Sequence, residues 1–291
     1  MHPWLLRLLQ VLALAGLSGG LLAGCVAGPA MPVPMGTETG TAPSASAGTT
    51  VAAADRRDLV TASDESDAAK RARIRTELAA AYFGQGQYAT ALDEVKRALG
   101  VDPSHVPALN LRGLIYAAMG ELELAEESWR SALRVSASDA DTLHNYGWYL
   151  CQRRRWPEAR QQFAAAMNVP QYRDQARTLL AAGICEARAG DLAIAQTILQ
   201  RSFDLDPANP ATTYNLADVL MRRGELERAY YHVQRINQTP ELVRAESLWL
   251  AIRIQQRRQQ AAAVEELGAQ LRARFPQSRE AAAFERGQFD E

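Results

Sequence analysis

The sequence predicts an all-α fold, a right-handed superhelix of six stacked helix pairs, on three observations. A repeat with a period near 34 residues runs from Ala72 to about residue 278. Alanine and leucine dominate a chain that is 47% hydrophobic and only 7% aromatic, which suits closely packed helices and disfavours a β-sandwich or barrel. Glycines and prolines recur at the points where each pair turns and ends. Such stacked pairs present a concave face lined by the first helix of each pair.

Ahead of the repeats, residues 1–24 read as a lipoprotein signal peptide. The amino terminus and Arg7 lead into an apolar run, Leu8 to Leu22, too short for a comfortable membrane span but suited to a secretory hydrophobic region. It ends in Leu22-Ala23-Gly24-Cys25, which resembles the bacterial lipobox. Small residues before the cysteine admit the processing peptidase, and the Cys25 thiol is the implied acceptor of the lipid. Val26 follows in place of an aspartate, which in sorted bacterial lipoproteins implies the periplasmic leaflet of the outer membrane. Attachment through several acyl chains is stable where one chain is marginal.

Residues 25–69 form the lipidated cysteine and a tether. From Val26 to about Asp67 the chain is rich in Ala, Gly, Pro, Ser and Thr and nearly free of large apolar side chains. Such a segment buries too little surface to offset its ordering entropy. Its expected reach is about 35 Å.

The repeat domain spans residues 70–291, with repeats beginning at Ala72, Val106, Ala140, Ala176, Pro210 and Ala245. The eighth position of each carries Ala79, Gly113, Gly147, Gly183, Ala217 or Ile252, and the twentieth Ala91, Ala125, Ala159, Ala195, Ala229 or Val264. Small residues at both places let two helices approach closely. Position 24 fills the space beside them with Val95, Trp129, Phe163, Leu199 and Val233, and only Gly268 breaks that column. Gly86, Gly120, Gly190 and Gly224 mark the turn inside a pair, where a left-handed residue is cheap. Asp102-Pro103, Asp206-Pro207 and Phe275-Pro276 close repeats, and Pro157 opens a second helix. A helical cap from Gln277 to about Arg286 is expected after a degenerate sixth copy.

This pattern is that of the tetratricopeptide repeat. A narrower resemblance lies in Leu143-His144-Asn145-Tyr146-Gly147-Trp148-Tyr149-Leu150-Cys151, followed by Trp156, Ala159, Phe163 and Pro170-Gln171-Tyr172. That stretch resembles the third repeat of the type IV pilus biogenesis and stability lipoproteins, the pilotins of the pilus secretin. The lipobox, six repeats and the closing Arg274-Phe275-Pro276-Gln277-Ser278 agree with it. The resemblance implies a lipoprotein that binds secretin subunits and helps them reach, or assemble in, the outer membrane. The tether is longer than is usual in that family. The same fold and anchor also suit a general periplasmic scaffold for β-barrel assembly or cell-wall enzymes.

Groove-facing places are expected at positions 2, 5, 9 and 12 of each repeat. They offer Phe83, Leu114, Trp148, Leu180, Ile184, Tyr214 and Trp249 as candidate peptide contacts, with some of these residues alternatively packing between repeats. An apolar strip with sparse polar groups suits an amphipathic helix. No Lys and Asn clamp for a terminal carboxylate can be assembled from the first two repeats.

Cys151 and Cys185 stand one repeat length apart, and in an oxidising compartment they are a candidate disulfide. The alternative is a pair of small buried hydrophobes. His105, His144 and His232 fall at unrelated repeat positions, so no metal set converges. Neither a nucleophile elbow nor a phosphate loop is present in the repeats, and Gly84-Gln85-Gly86 follows no strand. The net charge of −1 and an isoelectric point near 6.5 disfavour nucleic acid. The expectation is a binding protein with no catalytic site, no metal, no cofactor and no small-molecule substrate. Arg153-Arg154-Arg155 is the one dense basic run. It is either a solvated turn or a place for an acidic partner or lipid head groups.

Overall fold

The computed structural model describes residues 66–289, and the signal peptide, Cys25 and most of the tether lie outside them. Among the described residues there are thirteen helices packed pairwise and no strand. Repeat one is α1 (Asp67–Gly84) with α2 (Tyr88–Val101), repeat two α3 (Val106–Met119) with α4 (Leu122–Val135), and repeat three α5 (Ala140–Gln152) with α6 (Trp156–Met167). Repeat four is α7 (Gln175–Ala189) with α8 (Leu192–Leu205), and repeat five α9 (Pro210–Arg222) with α10 (Leu226–Asn237). Repeat six is α11 (Ala245–Arg257) with α12 (Ala261–Arg274), followed by the cap α13 (Arg279–Glu285). No described helix is long and apolar enough to cross a membrane.

Local chemistry sets these boundaries. Asp139 accepts a hydrogen bond from the Thr142 amide at 2.8 Å, and Asn209 accepts from Ala211 and Thr212, so both side chains satisfy amides that open a helix. Ser278 caps α13 in the same way through the Ala281 amide, 3.0 Å. The cap therefore begins at Arg279, two residues later than Gln277. Helices α6 and α10 have 12 residues where α4 and α8 have 14. The longer connections after them, residues 168–174 and 238–244, account for the stretched repeats at those points.

The small residues do what their spacing implies. Ala91, Ala125, Ala159, Ala195 and Ala229 are fully buried. A Cβ on Gly113 would stand 2.5 Å from the Trp129 indole, one on Gly147 2.9 Å from Phe163, and one on Gly183 2.5 Å from Leu199. Each glycine thus seats the large side chain sixteen residues later, and each repeat closes on itself before it stacks on the next. The turn at position 15 takes a left-handed residue throughout. Gly86, Gly120, Gly190 and Gly224 have φ between 75° and 97°, while Arg154 and Gln259 adopt φ 58° and 59° without being glycine.

Candidate protein-docking groove

First-helix positions expected to face the groove divide into two kinds. Position 5 mostly joins neighbouring repeats. Asn110 is buried and accepts from Trp129 Nε1 at 3.0 Å and from Asn145 Nδ2 at 3.1 Å. His144 is buried with Nδ1 2.9 Å from Thr178 Oγ1, which is itself 2.7 Å from the Tyr172 hydroxyl. Leu180 and Tyr214 are half-buried against the core of repeats four and five. Burial pushes the Tyr214 phenol up to about 12.

Position 9 is more open. Leu114, Trp148 and Ile184 are half-buried there, with exposed Ala80 before them and half-buried Asp218 and Arg253 after them. At position 12, Phe83 is half-buried and tilts against Tyr88, with ring centroids 5.6 Å apart, whereas Cys151 and Met221 are buried. The row is therefore apolar from repeat two to repeat four and charged beyond it.

Trp249 differs from the other candidates. It is buried, and Phe289 stacks on its indole with centroids 5.7 Å apart and planes 22° apart. Arg253 Nε donates to the Phe289 carbonyl at 3.0 Å. The chain just past α13 thus covers the last part of the row, and Trp249 faces that segment rather than an open groove. Nothing in the repeat period signals this, because Phe289 lies beyond the last copy; its only mark is an aromatic residue after the cap.

The 143–172 stretch packs repeat three against both neighbours. Tyr146 donates to Glu126 at 2.9 Å and Tyr149 to the Leu122 carbonyl at 3.0 Å. Trp129 lies beside both rings. Burial works to raise the Glu126 pKa, but hydrogen bonds from Arg155 and Tyr146 outweigh it and hold the carboxyl below its ordinary value. Burial, then the charge of Arg177, lowers the His144 pKa to about 3, so the imidazole is neutral at physiological pH. The two cysteines stand on adjacent first helices, Cys151 on α5 and Cys185 on α7, with Cα atoms 5.7 Å apart, within the span a disulfide requires. In the basic run, Arg155 is held by Glu126 and Glu158; Arg153 and Arg154 are exposed.

The tetratricopeptide-repeat family model matches residues 76–139, 113–176 and 186–241. The crystal structure of PilW, a widely conserved type IV pilus biogenesis factor, superimposes with TM-score 0.69 at 33% identity, over 73% of this chain and 97% of that one. The chain is a tetratricopeptide-repeat protein related to the PilF and PilW type IV pilus assembly proteins. PilF of Pseudomonas aeruginosa, a type IV pilus assembly protein, is 28% identical over 213 residues, 72% of this chain and 82% of its own. The solved PilF structure superimposes with TM-score 0.68 at 25% identity, over 76% of this chain and all of the other. These likenesses link this repeat protein to type IV pilus assembly.

Proposed function

We propose that the protein is an outer-membrane-anchored adaptor, a pilotin, that binds type IV pilus secretin subunits and promotes their localisation and multimer assembly. The observation that carries this reading is the likeness to PilW over nearly the whole of that chain. Cys25, carrying the acyl groups, is the anchor in the periplasmic leaflet, and the tether lets the repeats work away from the membrane surface. Phe83, Leu114, Trp148 and Ile184 are the groove contacts, with Leu180 and Tyr214 supporting them from below. Half-buried apolar side chains in a row along stacked helices fit the apolar face of a partner helix. The work is binding and transport, with no catalysis, cofactor or nucleic acid.

The test is capture of partners from detergent-solubilised outer membranes by the purified full chain, compared with Leu114→Ala and Trp148→Ala. Recovery of the pilus secretin, lost in the two variants, supports the reading. Capture of β-barrel assembly proteins or cell-wall enzymes without secretin replaces it with a general scaffold.

A further inference from the structure

An open cavity of about 560 Å³ lies at the turn end of α5 and α7, lined by Cys151, Gln152, Arg154, Trp156 and Arg188. Its two arginines come from different repeats, each three residues after one of the paired cysteines. The two cysteines and the two arginines are therefore one local arrangement. No acidic side chain lines the cavity.

Two features set these arginines apart from their counterparts. Arg154 occupies position 15, where four of the six repeats have glycine, and it accepts a left-handed φ of 58°, which is unfavourable for a side-chain-bearing residue. The last carbonyls of α5 are already taken by backbone amides, Arg154 N to Cys151 O at 3.0 Å and Arg155 N to Leu150 O at 2.9 Å. The Arg154 guanidinium is thus not used in capping the helix. At position 13, Arg222 donates to the Ala187 carbonyl at 3.1 Å and Arg257 to the Met221 carbonyl at 3.2 Å, each tying its repeat to the one before. Arg188 stands at the same position and makes no such bond; its guanidinium lies over the Trp148 ring, 5.1 Å from the centroid. Desolvation alone lowers its pKa, with no carboxylate contributing. Among the described residues neither Arg154 nor Arg188 has a carboxylate partner, while Arg155, Arg160, Arg228 and Arg258 all do.

We propose that this cavity docks an acidic segment of a partner protein, whose carboxylates neutralise Arg154 and Arg188 while an adjacent apolar side chain lies against Trp156. Both arginines are exposed, so a carboxylate can reach each guanidinium and take it in the paired, charge-assisted geometry that arginine favours. A lined cavity with an aromatic wall suits a side chain better than it suits a flat array of lipid head groups. The site needs no assumption about secretin, although it adjoins the position-9 row where Arg188 lies over Trp148.

The test titrates the full chain with the acetylated, amidated peptide Glu-Asp-Leu-Asp-Glu and with its isostere Gln-Asn-Leu-Asn-Gln, by calorimetry at low salt. The expected result is binding of the acidic peptide and a loss of about tenfold or more for the isostere. Arg154→Gly restores the residue that most repeats carry at the turn, so it keeps the fold while removing one cation. It and Arg188→Gln each weaken the acidic peptide severalfold, and Arg201→Gln, an exposed position on α8, leaves it unchanged. Equal affinity for the two peptides, or equal weakening by all three substitutions, overturns the proposal. So does co-sedimentation with phosphatidylglycerol vesicles that depends on Arg154 and Arg188 in a protein that ignores the acidic peptide, which makes the patch a lipid contact.

Discussion

Gly268 of α12 lies against the ring of Phe284 of α13, where a Cβ would stand 2.0 Å from Cζ. In repeats two to four a small residue on the first helix faces a large one on the second; here the large residue comes from the cap and the glycine from the second helix. Ile252, at the position held elsewhere by glycine or alanine, is fully buried. The break in the position-24 column is thus the seat of the cap, and the stack ends by exchanging the two halves of its own contact.

Gly268→Val, which restores the apolar column on paper, is expected to destabilise by about 3 kcal/mol through overpacking against Phe284. Gly100→Ala is the contrast. It lies in α2 with nothing within 4 Å of an added Cβ, so the substitution is expected to stabilise by about 0.5–1 kcal/mol. Urea denaturation of the two variants measures both signs.

Reduction of the Cys151 and Cys185 pair, or its replacement by two alanines, is expected to lower stability by about 3–4 kcal/mol. That is the chain-entropy value for their separation of 34 residues. Thermal melts with and without reductant read the shift, and mass mapping after alkylation reports whether the pair is oxidised in the purified protein.

Acid stability follows from His144. Its pKa falls from 6.5 in the unfolded chain to about 3 when folded. Between those values the unfolded chain binds the proton and the folded one does not, so stability falls as pH drops through the window, by at most about 1.4 kcal/mol per pH unit. Burial, then Arg228 and Arg235, lowers His232 also and adds in the same direction. The depressed Glu126 carboxyl contributes stability that is lost only at lower pH, below the ordinary carboxylate value of 4.5. His144→Gln is expected to flatten the dependence between pH 6.5 and pH 4.5, read from denaturant midpoints.

Ending the chain before Phe289 is expected to uncover Trp249 and shift its emission to the red. Loss of the stacked ring and of the bond from Arg253 costs about 1–2 kcal/mol. Fluorescence of the truncated chain, with Trp148→Phe and Trp156→Phe as a common background, isolates the change.

The helix pairs were legible because their chemistry is periodic. Ala91 and its equivalents, and the glycines opposite Trp129, Phe163 and Leu199, recur at fixed spacing since each repeat solves the same close-packing problem. The groove was less legible. Position 5 looks identical in sequence whether its side chain faces a partner or a neighbouring repeat, and Asn110 and His144 turn inward only because Trp129 and Thr178 supply hydrogen-bond partners. Trp249 reads in sequence as either a groove contact or a packing residue, because the segment that covers it has no period. The Arg153 to Arg155 run reads as one feature in sequence. In the fold it divides, because Glu126 and Glu158 take Arg155 while the turn carries Arg154 to a cavity shared with Arg188.

The proposed role in assembly of the pilus secretin is open to direct test. The most direct measurement is the amount of detergent-resistant secretin multimer in outer membranes of a strain lacking the protein, beside the same strain carrying wild-type protein or Cys25→Ser. The proposed role predicts a marked fall in multimers and loss of surface pili in the deletion, restored by the wild type. With Cys25→Ser it predicts secretin that is still bound but mislocalised. Undiminished multimers in the deletion strain would contradict it.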